Sequence, residues 1–468
     1  MKDIWFLFLL YIYPKYDADI LKMESLKEWL DGNNKDDRSL VILLIKGYFI
    51  LTILCFIILI LPFSQDADCS LVDHIFFAAS IVSTTGLAPG NFSEIYNTFG
   101  QFISLIFIQL GGIGYMAMAT FVVLKQFNKL PPISAKLLKM EFNLPKKYPL
   151  LLFIYGVFVF TLTIESIGAI ILFVEFKKIG VPNPMWNGIF HSISAFCTAG
   201  FSLFGDSLTS FKDNSVITTT IIVLSLLGSI GFIVLMDFWL MLRRKRKRIT
   251  LTSRIILLST FFLCLVSTAT VYLSDEKLLA MGWEGIRISF FQCISAHTTV
   301  GFNNFDIGSI SVAGIFIMII VMIIGASPAG TGGGIKTTSI SALISVLNSV
   351  LKRKKHVTFF NKEIPAPNIY LAISSGIFYT CVLIIGTWLI LLMDGENFPF
   401  HNLLFEVASA LSTVGLSTGI TADLSDMSKI LISCLMFVGR LGVLTFGFAL
   451  ISEAPLLRTK PQIEDIAI

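Results

Sequence analysis

Four short segments hold the residues best suited to chemistry with a cation: Thr84-Thr85-Gly86, Thr198-Ala199-Gly200, Thr299-Val300-Gly301 and Thr413-Val414-Gly415. Ten residues before each glycine stands a phenylalanine (Phe76, Phe190, Phe291, Phe405), and six before stands a serine (Ser80, Ser194, Ser295, Ser409). The glycines are separated by 114, 101 and 114 residues, so the repeated unit is a module of several segments. Glycine reaches backbone angles closed to other residues, and a helix ending at one can turn its carbonyls toward an axis. Four such turns around one axis form a ring of oxygens that replaces the hydration shell of a cation. The chemistry expected is coordination and passage of an ion. No nucleophile, base and orienting group stands out, and no metal-ligand cluster does, which argues against an enzyme.

The elements that position these segments are apolar. The chain has 468 residues, 55% hydrophobic and only 14% charged, with a net charge of +4. Its mean hydropathy of +0.81 is that of an all-α polytopic membrane protein. Long leading segments at 40–61, 150–174, 252–273 and 368–392 can each cross ~30 Å of hydrocarbon at about 1.5 Å per residue. Segments at 72–83, 185–197, 284–297 and 400–412 are half as long and end at the glycine motifs. They fit re-entrant pore helices, whose irregular ends are tolerated only where they line a cavity. Trailing segments at 95–124, 214–242, 311–351 and 427–451 complete each unit. The expected architecture is four helix, pore helix, helix repeats (40–124, 150–242, 252–351 and 368–451), giving eight crossings and four pore loops around a pseudo-four-fold pore. Residues 1–39 read as a cytoplasmic extension and 452–468 as a cytoplasmic tail.

Loop charge sets the orientation. The connections between repeats, taken with Arg254 at the start of the third, hold 18 of the 35 basic residues, including Arg243-Arg244-Lys245-Arg246-Lys247-Arg248, and this side is therefore expected to be cytoplasmic, with both termini. That basic run reads first as a topology signal and second as a docking point for a regulator. The opposite side carries acids such as Asp66, Asp68, Asp73, Asp206 and Asp306, which would concentrate cations. Seven cysteines occur without close pairs, and Cys197 stands where the other repeats have Ser83, Thr298 and Ser412.

A second constellation follows the glycine motifs. Each trailing segment carries a tetrad: Gly111-Gly112-Ile113-Gly114, Gly228-Ser229-Ile230-Gly231, Gly333-Gly334-Ile335-Lys336 and Gly439-Arg440-Leu441-Gly442. The third is preceded by Gly325-Ala326-Ser327-Pro328-Ala329-Gly330-Thr331-Gly332, and no α-helix survives a proline and that many glycines. The third trailing segment is expected to break within 325–338, leaving a small-residue loop across the path as a gate built from Gly325, Pro328, Gly330, Gly332, Gly333 and Gly334. Arg440 replaces a small residue of the tetrad, and an intramembrane arginine is by default functional. It is expected to restrain the loop or repel cations there, with Lys336 a weaker candidate. Glu165 needs a polar partner, and His191 and Glu406, both nine residues before their glycines, are expected to brace pore helices.

From residue 40 onward the chain resembles the Trk/Ktr/HKT superfamily of cation transporters. The resemblance rests on the four single-glycine motifs, the break from Gly325 to Gly334 followed by Ile335-Lys336-Thr337, and Gly439-Arg440-Leu441-Gly442. Within the superfamily it is most similar to the membrane subunit of bacterial Ktr systems. The resemblance implies potassium uptake across a bacterial inner membrane, with potassium held at the filter. It implies a homodimer, with no cofactor in this chain and no nucleic acid bound, and a cytoplasmic ring of nucleotide-binding (RCK-type) regulatory subunits. It implies that the loop and Arg440 form the gate, and that glycine at position 86, where sodium-selective plant relatives have serine, favours potassium. Channel-like flow and coupling to sodium or protons both fit these residues. A secondary transporter for another cation or small solute is the alternative, disfavoured because the repeats are parallel and only one trailing segment is expected to break.

Overall fold

The computed structural model describes residues 34–127, 132–142, 144, 149–354, 356–442 and 445–447. The expected terminal segments, residues 1–33 and 452–468, lie outside the described residues, as do 448–451 of the fourth trailing segment.

Among the described residues, four helices are each long and apolar enough to cross a membrane. They are α1 (Asn34–Leu59), α6 (Leu150–Ile179), α10 (Leu251–Ser274) and α14 (Ala366–Asp394). After each comes a shorter helix ending at a glycine motif: α2 (Leu71–Val82), α7 (Pro184–Phe196), α11 (Trp283–Thr298) and α15 (Phe400–Leu411). Apart from short helical turns such as Phe92–Ile95 and Glu276–Ala280, the remaining described helices of the repeats are α3 (Thr98–Ile113) with α4 (Tyr115–Phe127), α8 (Ser215–Ser229) with α9 (Phe232–Leu242), α12 (Val312–Ile324) with α13 (Thr337–Leu351), and α16 (Asp426–Leu441). Helix α5 (Pro132–Glu141) joins the first two repeats, and a β-hairpin of Thr358–Phe359 against Lys362–Glu363 precedes α14. The chain is an all-α polytopic membrane protein.

The sequence explains the helix starts. Asn97, Asn214, Ser311 and Ser425 accept backbone amides at the first turns of α3, α8, α12 and α16, satisfying donors that a helix leaves open.

The trailing segments depart from expectation in a consistent way. The break is not confined to the third repeat: α3 and α4 meet at 91°, and α8 and α9 at 94°. The cause is the last residue of each tetrad. Gly114, Gly231 and Gly442 have φ of 91°, 87° and 85°, a region that stops a helix and favours glycine. Lys336 occupies the same position in the third repeat at φ 82°. For a side chain with a Cβ this costs about 1–3 kcal/mol, so surrounding structure must hold it.

The repeats close into a circle. Helix α3 packs on α7, α8 on α11, α12 on α15, and α16 returns to α2, so each trailing helix covers the next repeat's short helix. At the last junction Lys429 of α16, nearly buried, pairs with Asp73 of α2 at 2.9 Å. The motif phenylalanines Phe76, Phe190, Phe291 and Phe405 are all buried and fix the short helices in this packing.

Candidate functional site

The four glycine segments meet at the centre of the circle. Thr84, Thr198, Thr299 and Thr413 have φ of 52°, 51°, 57° and 50°, and the glycines two residues on have φ of 96°, 68°, 83° and 90°. The residue between each pair stays at negative φ, so handedness alternates and successive carbonyls face the same side. Within each segment the amide of Thr85, Ala199, Val300 or Val414 donates to the motif serine's carbonyl at 2.8–3.1 Å.

The segments touch in strict order. A Cβ on Gly86 would strike the Ala199 carbonyl oxygen, one on Gly200 that of Val300, one on Gly301 that of Val414, and one on Gly415 that of Thr85. These contacts form a closed ring of four backbones, each carbonyl lying against the next repeat's glycine. Any side chain at those glycines would push the ring apart.

Polar side chains hold the ring from behind. Ser80 and Ser409 accept the amides of Gly86 and Gly415 at 3.0 and 3.1 Å, while Ser194 and Ser295 donate to the carbonyls of Phe201 and Phe302. In the second, third and fourth repeats the position nine residues before the glycine reaches the chain leaving the ring. His191 contacts Ser202 at 3.0 Å, and Glu406 accepts from the Ser417 hydroxyl at 2.5 Å, the Thr418 amide at 3.1 Å and the Thr421 hydroxyl at 2.9 Å. Gln292 does the same through Phe305 and Asn304, a role that its shared register with His191 and Glu406 would have signalled. Replacing Glu406 with leucine strands three donors, each worth about 1–3 kcal/mol when buried without a partner. The variant is expected to melt well below wild type in detergent while Glu406→Gln melts between them; equal melting of all three would remove this brace.

The acidic side also carries ion pairs between repeats two and three. Lys212 pairs with Glu284 at 2.9 Å, and that hydrogen bond holds the ammonium above its ordinary range. Both groups are partly exposed, so the pair contributes little stability.

On the opposite face of the ring lies the loop between α12 and α13. Its neck is stitched by backbone bonds from Ile335 to Ile323, Ala326 to Gly333 and Thr337 to Ala326, at 3.0–3.2 Å. Gly325 (φ 62°) and Gly334 (φ 78°) pack α-carbon to α-carbon there, an approach only glycine permits. From this neck the loop crosses beneath the ring and touches the second, third and fourth repeats. Ser327 and Thr331 donate amides to Ser229 and Gly228, and Ala329 accepts from the Phe232 amide at 2.8 Å. Thr331 also donates its hydroxyl to the Phe196 carbonyl at 3.1 Å. The Gly333 amide donates to the Thr299 hydroxyl at 3.0 Å, and a Cβ on Gly333 would strike Ser412 of the fourth repeat. Gly332 lies against Thr298 and Thr299, Gly330 against Ser229, and the Pro328 carbonyl against Gly231. The tetrad alignment holds at its last position and departs at its first for a physical reason. Gly111, Gly228 and Gly439 lie against their own short helices, whereas Gly333 has moved under the ring.

Two cations hold this loop. Arg440 donates to the Thr331 carbonyl, to the Thr84 hydroxyl at 2.9 Å, to the Gly111 carbonyl and to Gly112 at 3.2 Å. Its guanidinium thus caps the C-terminus of α3, where carbonyls are unsatisfied, and joins loop, ring and first repeat. Lys336 donates to the Gly332 carbonyl at 2.5 Å, folding the loop on itself.

Glu165 finds the partner its burial required. Gln109 of α3 donates to both its carboxylate oxygens at 3.0 Å, and the Cys197 thiol lies beside them. Gln109 and Thr331 carried no signal in the sequence, since neither repeats and neither is charged.

A model of the TrkH family, described as cation transport protein, matches residues 63–455. The chain belongs to that family. Ktr system potassium uptake protein B of Bacillus subtilis is 32% identical over 86% of this chain and 91% of its own length. Potassium/sodium uptake protein NtpJ of Enterococcus hirae is 31% identical, covering 89% of this chain and 94% of that protein. The crystal structure of the potassium transporter TrkH from Vibrio parahaemolyticus aligns with a TM-score of 0.69 over 88% of this chain and 85% of that one, at 19% identity. TrkH-family proteins transport cations, so the chain is a transporter and not an enzyme.

Proposed function

We propose that the chain is the potassium-translocating membrane subunit of a Ktr-type uptake system. The observation that carries the reading is the closed ring in which each glycine faces the next repeat's carbonyl, a geometry suited to replacing a cation's hydration shell. Potassium occupies carbonyls and threonine hydroxyls of Thr84 to Gly86, Thr198 to Gly200, Thr299 to Gly301 and Thr413 to Gly415. The gate is the loop at 325–334, held by Arg440 and Lys336 below the ring. The basic side faces the cytoplasm of a cell whose plasma membrane the protein spans. Two copies associate, and a cytoplasmic ring of nucleotide-binding subunits moves the loop, nucleotide being bound by that partner and not by this chain.

Removal of Ala329 to Gly332 tests the gate. The deletion takes away the bonds through which the loop reaches the second and fourth repeats. Rubidium flux through folded protein in vesicles is expected to rise severalfold without any partner; flux at or below wild type would refute the gate. Growth of a potassium-uptake-deficient bacterium on low potassium tests the substrate, with rescue expected from wild type and not from Gly86→Ser. Rescue of sodium-limited growth alone would assign sodium instead.

A further inference from the structure

We propose that the connection between α9 and α10 is a binding surface for anionic phospholipid headgroups of the cytoplasmic leaflet, coupled through α9 to the crossing loop. The coupling rests on the gate assigned above; the lipid surface does not.

The surface has two parts in one short stretch. Helix α9 leaves α8 at 94° and exposes Phe238, Met241 and Leu242, the last 83% exposed. Directly after it come Arg243, Arg244, Lys245, Lys247 and Arg248, all exposed. None of the last four makes an ion pair among the described residues, and Arg243 stacks on Trp239 at 4.9 Å. Bare apolar side chains, an aromatic ring and then a cluster of cations make an interfacial element that seats its apolar face in acyl chains and its cations among headgroups.

The loop is held down at that level. Its central cation, Arg246, turns back to pair with Asp237, a fully buried carboxylate on α9. Asp237 also accepts the Thr250 amide at 2.9 Å and the hydroxyls of Thr250 and Ser253 at 2.6 Å, which are the start of α10. A run of six cations that served only as a solvated topology signal would not need its middle member locked to a buried acid. The lock keeps the neighbouring cations beside Leu242 at the membrane surface and away from free solution. This favours headgroups over an acidic protein as the occupant.

The other end of α9 touches the crossing loop. Its first amide, Phe232, donates to Ala329 at 2.8 Å, and Gly231 lies against Pro328. Eleven residues of helix thus join the headgroup surface to the loop. Headgroups that immobilise the basic connection immobilise α9 and its bond to Ala329, so anionic lipid stabilises the loop where it lies across the path.

The test compares wild type with a variant carrying Arg243→Gln, Arg244→Gln, Lys245→Gln, Lys247→Gln and Arg248→Gln, which spares the Arg246 to Asp237 lock. Phosphatidylglycerol retained through purification is measured by native mass spectrometry, and rubidium flux in phosphatidylcholine vesicles with and without phosphatidylglycerol. Wild type is expected to retain the anionic lipid and to conduct about fivefold less in its presence, whereas the variant does neither. Asp237→Asn, which releases the lock, is expected to retain less of the lipid than wild type and to lose the flux response. Equal retention by wild type and the variant, or a flux response that survives in the variant, overturns the proposal. So does a variant that keeps the lipid but loses capture by a nucleotide-binding regulatory subunit. Absence of flux in every vesicle would count against the proposed function, while retention would still decide the lipid surface.

Discussion

Replacing Arg440 with alanine is expected to raise rubidium flux through the reconstituted protein by about tenfold, which corresponds to about 1.4 kcal/mol of barrier. The guanidinium fixes the Thr331 carbonyl, the Thr84 hydroxyl and the end of α3 at once, and its positive charge stands below the ring, where the proposed path of the cation runs. Removing it releases the loop and lowers the electrostatic barrier together, so both effects act in one direction. The protein should also melt earlier, since each carbonyl left buried without its donor costs about 1–3 kcal/mol. Arg440→Lys separates the two contributions. A lysine restores the charge but not the planar fork that reaches two repeats and the loop, so its flux should fall between the other two. Flux unchanged in Arg440→Ala, in protein that elutes as wild type, would show that the arginine only braces α3.

The second large effect is expected at Gly301. An alanine there meets the Val414 carbonyl oxygen and must hold φ near 83°, so the ring has to widen or shift. Potassium over sodium discrimination should collapse by roughly a hundredfold, the scale expected when carbonyls no longer match the dehydrated ion. Because the ring is closed, Gly86→Ala, Gly200→Ala and Gly415→Ala should act alike. Bi-ionic potentials in planar bilayers measure this directly. A selectivity change confined to one of the four would mean that the ring does not act as a unit.

Much of this site is legible in the sequence because four copies constrain one another. The offsets of Phe76, Ser80, Thr84 and Gly86 recur in every repeat, and only a shared geometry preserves three spacings through apolar segments of otherwise different sequence. The break at 325–334 is legible because proline and glycine act locally. What escapes is what depends on neighbours far along the chain. The bends at Gly114 and Gly231 are sharp turns at the last glycine of each tetrad, and glycines inside an apolar run are compatible with a continuous helix. Gln109 and Thr331 act across repeats through hydrogen bonds to Glu165 and to Gly228 and Phe196, and neither periodicity nor charge marks them. Lys336 is legible as a departure from the tetrad, but its positive φ is set by the turn that the other three repeats make with glycine.

The most direct test of the central claim is rubidium uptake into vesicles holding wild-type protein with a Ktr-type regulatory subunit, competed with external potassium or sodium. Potassium should displace rubidium at equal concentration, while sodium should need roughly a hundredfold excess, as expected of a rigid carbonyl ring. Equal displacement by sodium, or no uptake by folded protein with the subunit bound, would contradict the account.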